Sequence, residues 1–219
     1  MHIEPEIVNA AKMGLSYATA TAVTVMLTQV MIKHIKKAGV VSLLLKSVVT
    51  TVLTLVFFEL FPHYFVGVSE VHLILGSTLF LLFGSASAGV GLALGLLVQG
   101  LLFSPMDLPQ YGMNVTTLLV PLFALSWMAK RVLPKEVSYS DLNYYEVLKL
   151  SSAYQVGIVV WVAFWAFYAE GFAVENIVAV SSFGLAYMGV IVVEPLISLA
   201  SLALAKSFKQ RRASAELSI

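Results

Sequence analysis

Cysteine is absent from this chain of 219 residues. That excludes a disulfide framework and a thiolate metal site, so any bound metal must use nitrogen and oxygen ligands. Charge is scarce too: Asp, Glu, Lys and Arg make up 11% of the residues, against about 25% in soluble domains. The formal net charge of +1 excludes a broad electrostatic footprint for nucleic acid. The first residues lack the basic stretch of a signal peptide, carry Glu4 and Glu6 instead, and show no small-residue cleavage site after a short apolar core. Walker A, HExxH and GxSxG patterns are all missing, so the chain shows no motif for ATP hydrolysis, zinc proteolysis or serine-hydrolase chemistry.

What the chain has in excess is apolar surface: 59% of its residues are hydrophobic and its mean hydropathy is +0.91. A soluble fold cannot bury that much, so the bilayer is its solvent. Seven apolar segments run over 10–32, 40–61, 67–83, 86–104, 113–130, 147–169 and 176–205. Most reach the ~20 residues a spanning helix needs, while the third, at about 17, is expected to be tilted, short or partly unwound. The runs are apolar on every face, so beta-barrel alternation is absent, and helices satisfy the backbone in a solvent without water. The expected fold is all-α: one polytopic membrane helix bundle over 1–219 with about seven transmembrane helices.

Basic residues orient the bundle. Lys33, Lys36, Lys37 and Lys46 flank the first turn, Lys130, Arg131, Lys135 and Lys149 the fifth, and Lys206, Lys209, Arg211 and Arg212 follow the last segment. If seven helices alternate, all fall on one side, and only Lys12 does not. The positive-inside rule then places the C-terminus in the cytoplasm and the N-terminus outside. Residues 1–9 become an extracytoplasmic segment and 132–146 a cytoplasmic loop, the latter a candidate docking loop for a partner.

The chemistry is concentrated in four histidines. His2 stands beside the terminal amine. The Met1 amine, the His2 backbone nitrogen and the His2 imidazole can all bind one ion, closing low-strain chelate rings of about five and six members, provided that Met1 carries a free amine. His34 lies in a basic loop and reads as solvated. His63 follows Pro62 and reads as a surface residue or as a ligand the ion meets first. His72 lies in Val71-His72-Leu73-Ile74-Leu75-Gly76, where an ionisable group at membrane depth is a functional candidate. The competing reading of His72 is a histidine bonded to a carbonyl inside the bundle. Together with the Met1 amine and the two His2 nitrogens, the His72 imidazole completes a set of four nitrogens, which suits Ni(II) or Cu(II) and accommodates Co(II). Glu4, Ser69, Glu70, Gln99 and Asn114 are the polar candidates to orient these ligands. Glu194, before Pro195 in the last segment, either pairs with a polar group or serves an ion path.

Small residues mark packing. Ala10, Gly14, Ala18 and Ala22 recur every fourth residue, a smooth ridge that packs within the bundle or docks a partner. The run Gly84-Ser85-Ala86-Ser87-Ala88-Gly89, followed by Gly91 and Gly95, marks tight packing or a turn between segments three and four.

These residues resemble the CbiM/NikM family, the substrate-binding components of energy-coupling-factor (ECF) ABC transporters for cobalt and nickel. Met1-His2-Ile3 is similar to the family's opening Met-His-Ile. Val71-His72 with Gly76-Ser77-Thr78 and Phe83-Gly84 resembles its Val-His, Gly-Thr and Phe-Gly pattern. Gln99 with Leu101-Leu102, Leu108 and Gly112-Met113-Asn114 resembles its Gln-x-Leu-Leu and Gly-Ala-Asn block, and Glu194 resembles the glutamate of its last helix. The resemblance implies seven helices with the N-terminus inserted into the bundle from outside. It implies an ion held by Met1, His2 and His72, a transmembrane coupling (T) subunit and ATPase subunits as partners, and toppling of the binding component as the transport movement.

The expectation is therefore a multi-pass protein of the cytoplasmic (inner) membrane that captures Co2+ or Ni2+ as transported substrate rather than cofactor. Two other readings stand beside it: an intramembrane metalloenzyme or maturation factor using a metal or Glu194, and a structural assembly subunit in which His2 is incidental.

Overall fold

The computed structural model describes residues 10–133, 139–168 and 171–216. It is all-α apart from one small hairpin. The helices are α1 (Ala10–Ala38), α2 (Val40–Glu59), α3 (Gly76–Leu102), α4 (Tyr111–Val132), α5 (Tyr144–Phe167) and α6 (Val174–Glu216). Each contains a span long and apolar enough to cross a membrane, and the chain is a multi-pass membrane protein.

The difference between six helices and seven apolar segments lies in the middle. Residues 64–71 form an antiparallel hairpin, β1 (Tyr64–Val66) and β2 (Ser69–Val71), in register Tyr64↔Val71, Phe65↔Glu70 and Val66↔Ser69. Helix α3 starts only at Gly76 and breaks at Gly84, whose φ of 83° and ψ of 165° are not helical. Segment three is thus partly unwound, as its length suggested. Its helical arm, 76–83, rises only about 12 Å at about 1.5 Å per residue. Gly39, which alone separates α1 from α2, has φ 83° and ψ 163°, nearly the same backbone. Glycine reaches this region at little steric cost. The chain therefore turns at Gly84 as it does between α1 and α2, and the six helices contain seven helical legs.

Contacts confirm the direction of each leg. Gly91 meets Thr50 and Gly95 meets Thr54, where an added Cβ would come within 2.2 Å and 2.6 Å of side-chain atoms, and the Ser87 carbonyl accepts from Thr50 Oγ1 at 2.7 Å. Helix α2 and the second arm of α3 thus run in the same direction. Consecutive helices can do so only if the chain returns between them, and the hairpin with the first arm is that return. Helix α4 runs with α1, since Gly112 packs on Ser16. It runs against α5, where Trp161 Nε1 donates to Thr116 Oγ1 at 3.2 Å and Gly157 packs on Pro121. Helices α5 and α6 are antiparallel as well, with Asn176 Nδ2 donating to the Ala166 carbonyl at 2.9 Å near one end and Ser198 beside Ser151 toward the other.

This arrangement sorts the ends of the bundle. The starts of α1, α4 and α6 and the hairpin share one end. Lys33, Lys36, Lys37, Lys46, Lys130, Arg131, Lys149, Lys206, Lys209 and Arg211 share the other, as the alternation of seven segments required. At that basic end Arg131 lies 3.6 Å from the centre of the Trp127 ring and Lys206 4.9 Å from that of Tyr144, an arrangement typical of membrane boundaries. Lys209 pairs with Asp141. There too the Tyr139 hydroxyl donates to the Ser198 carbonyl at 2.8 Å, and burial pushes its pKa up to about 12. The main core joins α3, α4, α5 and α6 through residues such as Leu92, Leu118, Leu122, Leu150 and Tyr187, with Phe58 of α2 at its edge.

Candidate metal-capture site

His72 follows the second strand of the hairpin. Side chains two apart in an extended strand share a face, so Glu70 and His72 point the same way. The His72 Nε2 lies 2.8 Å from Glu70 Oε2. Register extends the same logic across the hairpin: Tyr64 faces Val71, which brings residue 63 opposite residue 72. The His63 ring stacks on that of His72 with centroids 4.7 Å apart and planes 12° apart. Phe58, fully buried, meets the His72 ring edge-on at 5.2 Å and 81°. His72 itself is 1% exposed, while His63 lies at the surface. An imidazole buried in a membrane bundle is costly without polar partners, and the hairpin exists in a form that supplies one.

The other residues expected around the metal divide by place. Ser69 is buried in β2 beside Glu70. Gln99 near the end of α3 and Asn114 in the first turn of α4 are both buried and line one narrow crevice with Leu96, Asp107 and Tyr111. Gln99 Nε2 lies 3.3 Å from Ser104 Oγ, and its Oε1 has no hydrogen-bond partner among the described residues. These residues share the hairpin end of the bundle with the start of α1. Met1, His2 and Glu4 lie outside the described residues. Among the described residues no three His, Cys, Asp or Glu side chains group to hold a metal.

Glu194 lies elsewhere, deep between α3, α5 and α6. Its Oε1 accepts from the Ser77 backbone N–H at 3.0 Å and from Ser77 Oγ at 2.8 Å. Its Oε2 accepts from Gln155 Nε2, which also donates to the Ile74 carbonyl at 2.8 Å. Tyr187 donates to Gln155 Oε1 at 2.7 Å. A helix that begins inside a membrane leaves its first N–H groups without partners, and a carboxylate at that positive end is stabilising. Glu194 is the cap of the first arm of α3. Gly76 is required at the same start, because a Cβ there would come within 2.3 Å of the Tyr154 ring. Of the two readings of Glu194, the structure shows pairing with polar groups. The sequence offered no direct sign of this, as Ser77 and Glu194 are 117 positions apart.

Of the ridge on α1, Gly14, Ala18 and Ala22 are exposed along the helix, and an added Cβ on Gly14 would meet nothing within 4 Å. Ala10 begins the helix. At Gly14, Ala18 and Ala22 the ridge therefore faces away from the described remainder of the chain. His34 stays apart from the site, 3.5 Å from Ser42 across the α1–α2 turn. Glu70, expected among the residues that orient the imidazoles, is the one that pairs with His72, whereas the stacking of His63 on His72 was missed. Its signal was the glycine at 67, in the left-handed region at φ 64°, which reverses the chain between two short runs.

Residues 2–212 match a family described as CbiM, cobalt uptake substrate-specific transmembrane region. Two solved structures share the fold. One, described as a truncated transition metal transporter, is 15% identical with a TM-score of 0.67, covering 97% of this chain and 99% of that one. The other, described as a transition metal transporter, is 18% identical with a TM-score of 0.68, covering 96% of this chain and 93% of that one. Among curated proteins none matches the chain.

Proposed function

The chain belongs to the CbiM family of cobalt uptake substrate-specific transmembrane regions, and from that premise we propose that it captures Co2+ or Ni2+ for an ECF-type importer. Family membership makes it a membrane subunit of a transporter and not an enzyme. The ion is held by the Met1 amine, the His2 amide nitrogen, the His2 imidazole and the His72 imidazole. One observation carries this reading: His72 is buried at the end of the bundle where α1 begins, under an exposed second imidazole. The described residues supply His72 with no further cluster of metal-binding side chains, so the segment before α1 is the natural source of the missing ligands. Nitrogen donors suit Ni(II) and accommodate Co(II). Ser69, Gln99 and Asn114 keep that end polar, whereas Glu194 caps a helix.

By the positive-inside rule the basic end faces the cytoplasm, where a T subunit and ATPase subunits bind, and the site end faces outward. The ridge of Ala10, Gly14, Ala18 and Ala22, exposed at the last three, meets the T subunit, because small residues let a helix approach closely. Ni2+ and Co2+ titrations of purified protein with an unblocked N-terminus test the ligand set. His2→Ala and an added N-terminal tag should each abolish tight binding. Equal affinity in native and His2→Ala protein would refute the chelate.

A further inference from the structure

We propose that Glu70 is the positioning residue of this site: by accepting the Nε2 proton of His72 it commits Nδ1 of that ring to the ion. The inference rests on the metal reading above and adds to it the atom that ligates and the side chain that selects it. A neutral imidazole carries one N–H and one lone pair. Which nitrogen keeps the lone pair is set by the hydrogen bond that the other makes. Glu70 Oε2 lies 2.8 Å from Nε2, and a carboxylate oxygen accepts. The hydrogen therefore sits on Nε2 and the lone pair on Nδ1.

The backbone makes this choice rigid. Glu70 pairs with Phe65 in the hairpin, which fixes its Cα. The alternation of the strand keeps its side chain on the His72 face. His63 over the ring face and Phe58 at its edge hold the plane of the imidazole. The His72 side chain is 1% exposed and that of Glu70 27%, so the carboxylate bridges the buried ring to the boundary of the bundle. A carboxylate behind a ligating histidine orients the ring and raises its basicity, and loss of such a partner costs about 10–100-fold in metal affinity.

Two measurements on one set of proteins test this. Nitrogen-15 spectra of histidine-labelled, metal-free native, E70Q, E70L and E70S proteins, assigned with H72A, report the His72 tautomer. Ni2+ titrations of the same proteins with unblocked N-termini report affinity. Native protein should hold His72 with hydrogen on Nε2. E70Q, which keeps an oxygen acceptor, should retain that tautomer and most of the affinity. E70L and E70S should lose the preference and bind about 10–100-fold more weakly. Hydrogen on Nδ1 in the native protein would overturn the inference. So would native affinity in E70L and E70S while H72A loses binding, which would leave the metal reading standing. Equal Ni2+ affinity in native and H72A protein would overturn the metal reading and the role of Glu70 with it.

Discussion

Of the buried ionisable side chains of this bundle, Glu194 and His72 have contrasting surroundings. Both oxygens of Glu194 accept hydrogen bonds from the start of a helix and from Gln155, with Tyr187 closing the network from behind. His72 sits just after a short hairpin at the end of the bundle where α1 begins, under an exposed imidazole and beside a partly exposed carboxylate. An ionisable group in a membrane segment is read as functional by default. Glu194 and His72 meet that rule in different ways. At Glu194 the charge compensates broken backbone, which lets a helix start inside the bundle. At His72 the ring stacks with the exposed imidazole of His63 and pairs with a partly exposed carboxylate. What separates them is whether bonds inside the bundle account for the group or whether its neighbours reach the surface.

The largest effect should come from removing the cap. Glu194→Leu strands the Ser77 N–H and one N–H of the Gln155 amide in a buried place, where each unsatisfied group costs about 1–3 kcal/mol, while the Ser77 hydroxyl keeps Ser151 as a partner. Thermal unfolding in detergent should show a loss of about 3 kcal/mol or more, with Glu194→Gln much milder. Metal affinity of the folded fraction should not change. A folded Glu194→Leu protein that binds metal poorly would erase the distinction between the two regions.

Crowding the same helix start comes next. Gly76→Ala drives a Cβ toward the Tyr154 ring, and overpacking of this kind costs about 1–3 kcal/mol in a melting experiment. The two turns can be set against each other as well. Gly39→Ala and Gly84→Ala both force a side chain into the left-handed region, and nothing lies within 4 Å of either added Cβ. The two substitutions should destabilise equally, by about 1–3 kcal/mol. A silent Gly84→Ala would mean that the chain does not reverse there.

Smaller effects belong to the site end. His63→Ala removes a stacking neighbour of His72 but no ligand, so Ni2+ affinity should fall less than about tenfold, since such ring pairs contribute about 0.5–1.5 kcal/mol. Ni2+ affinity should also rise with pH across the neutral range. The His2 amide must lose a proton to ligate and the imidazoles must be neutral, so each step of binding releases protons. Titrations at two pH values check the sign.

Much of this fold was legible in the sequence. The segments that became α1, α2, α4, α5 and α6 stand out because a bilayer demands long apolar runs. Ten lysines and arginines gather at one end because the legs alternate. Gly84 was legible as a turn or a packing point, while its neighbours Gly91 and Gly95 serve close packing on Thr50 and Thr54. The hairpin was not legible, since strands of three residues within an apolar stretch give no periodicity to read. Nor was the cap: Gln155 and Glu194 meet Ser77 only through the packing of three helices. For the site, His72 stood out as an ionisable residue at membrane depth. Its contacts with His63 and Glu70 depend on the register of the hairpin, and therefore on its existence.

The most direct test compares the two regions in one experiment. Ni2+ is titrated into native, His72→Ala and Glu194→Gln proteins, each with an unblocked N-terminus and each shown to be folded. Tight binding should vanish in His72→Ala and remain at the native level in Glu194→Gln. Binding that survives His72→Ala and vanishes in Glu194→Gln would place the ion in the middle of the bundle and contradict the assignment of both residues.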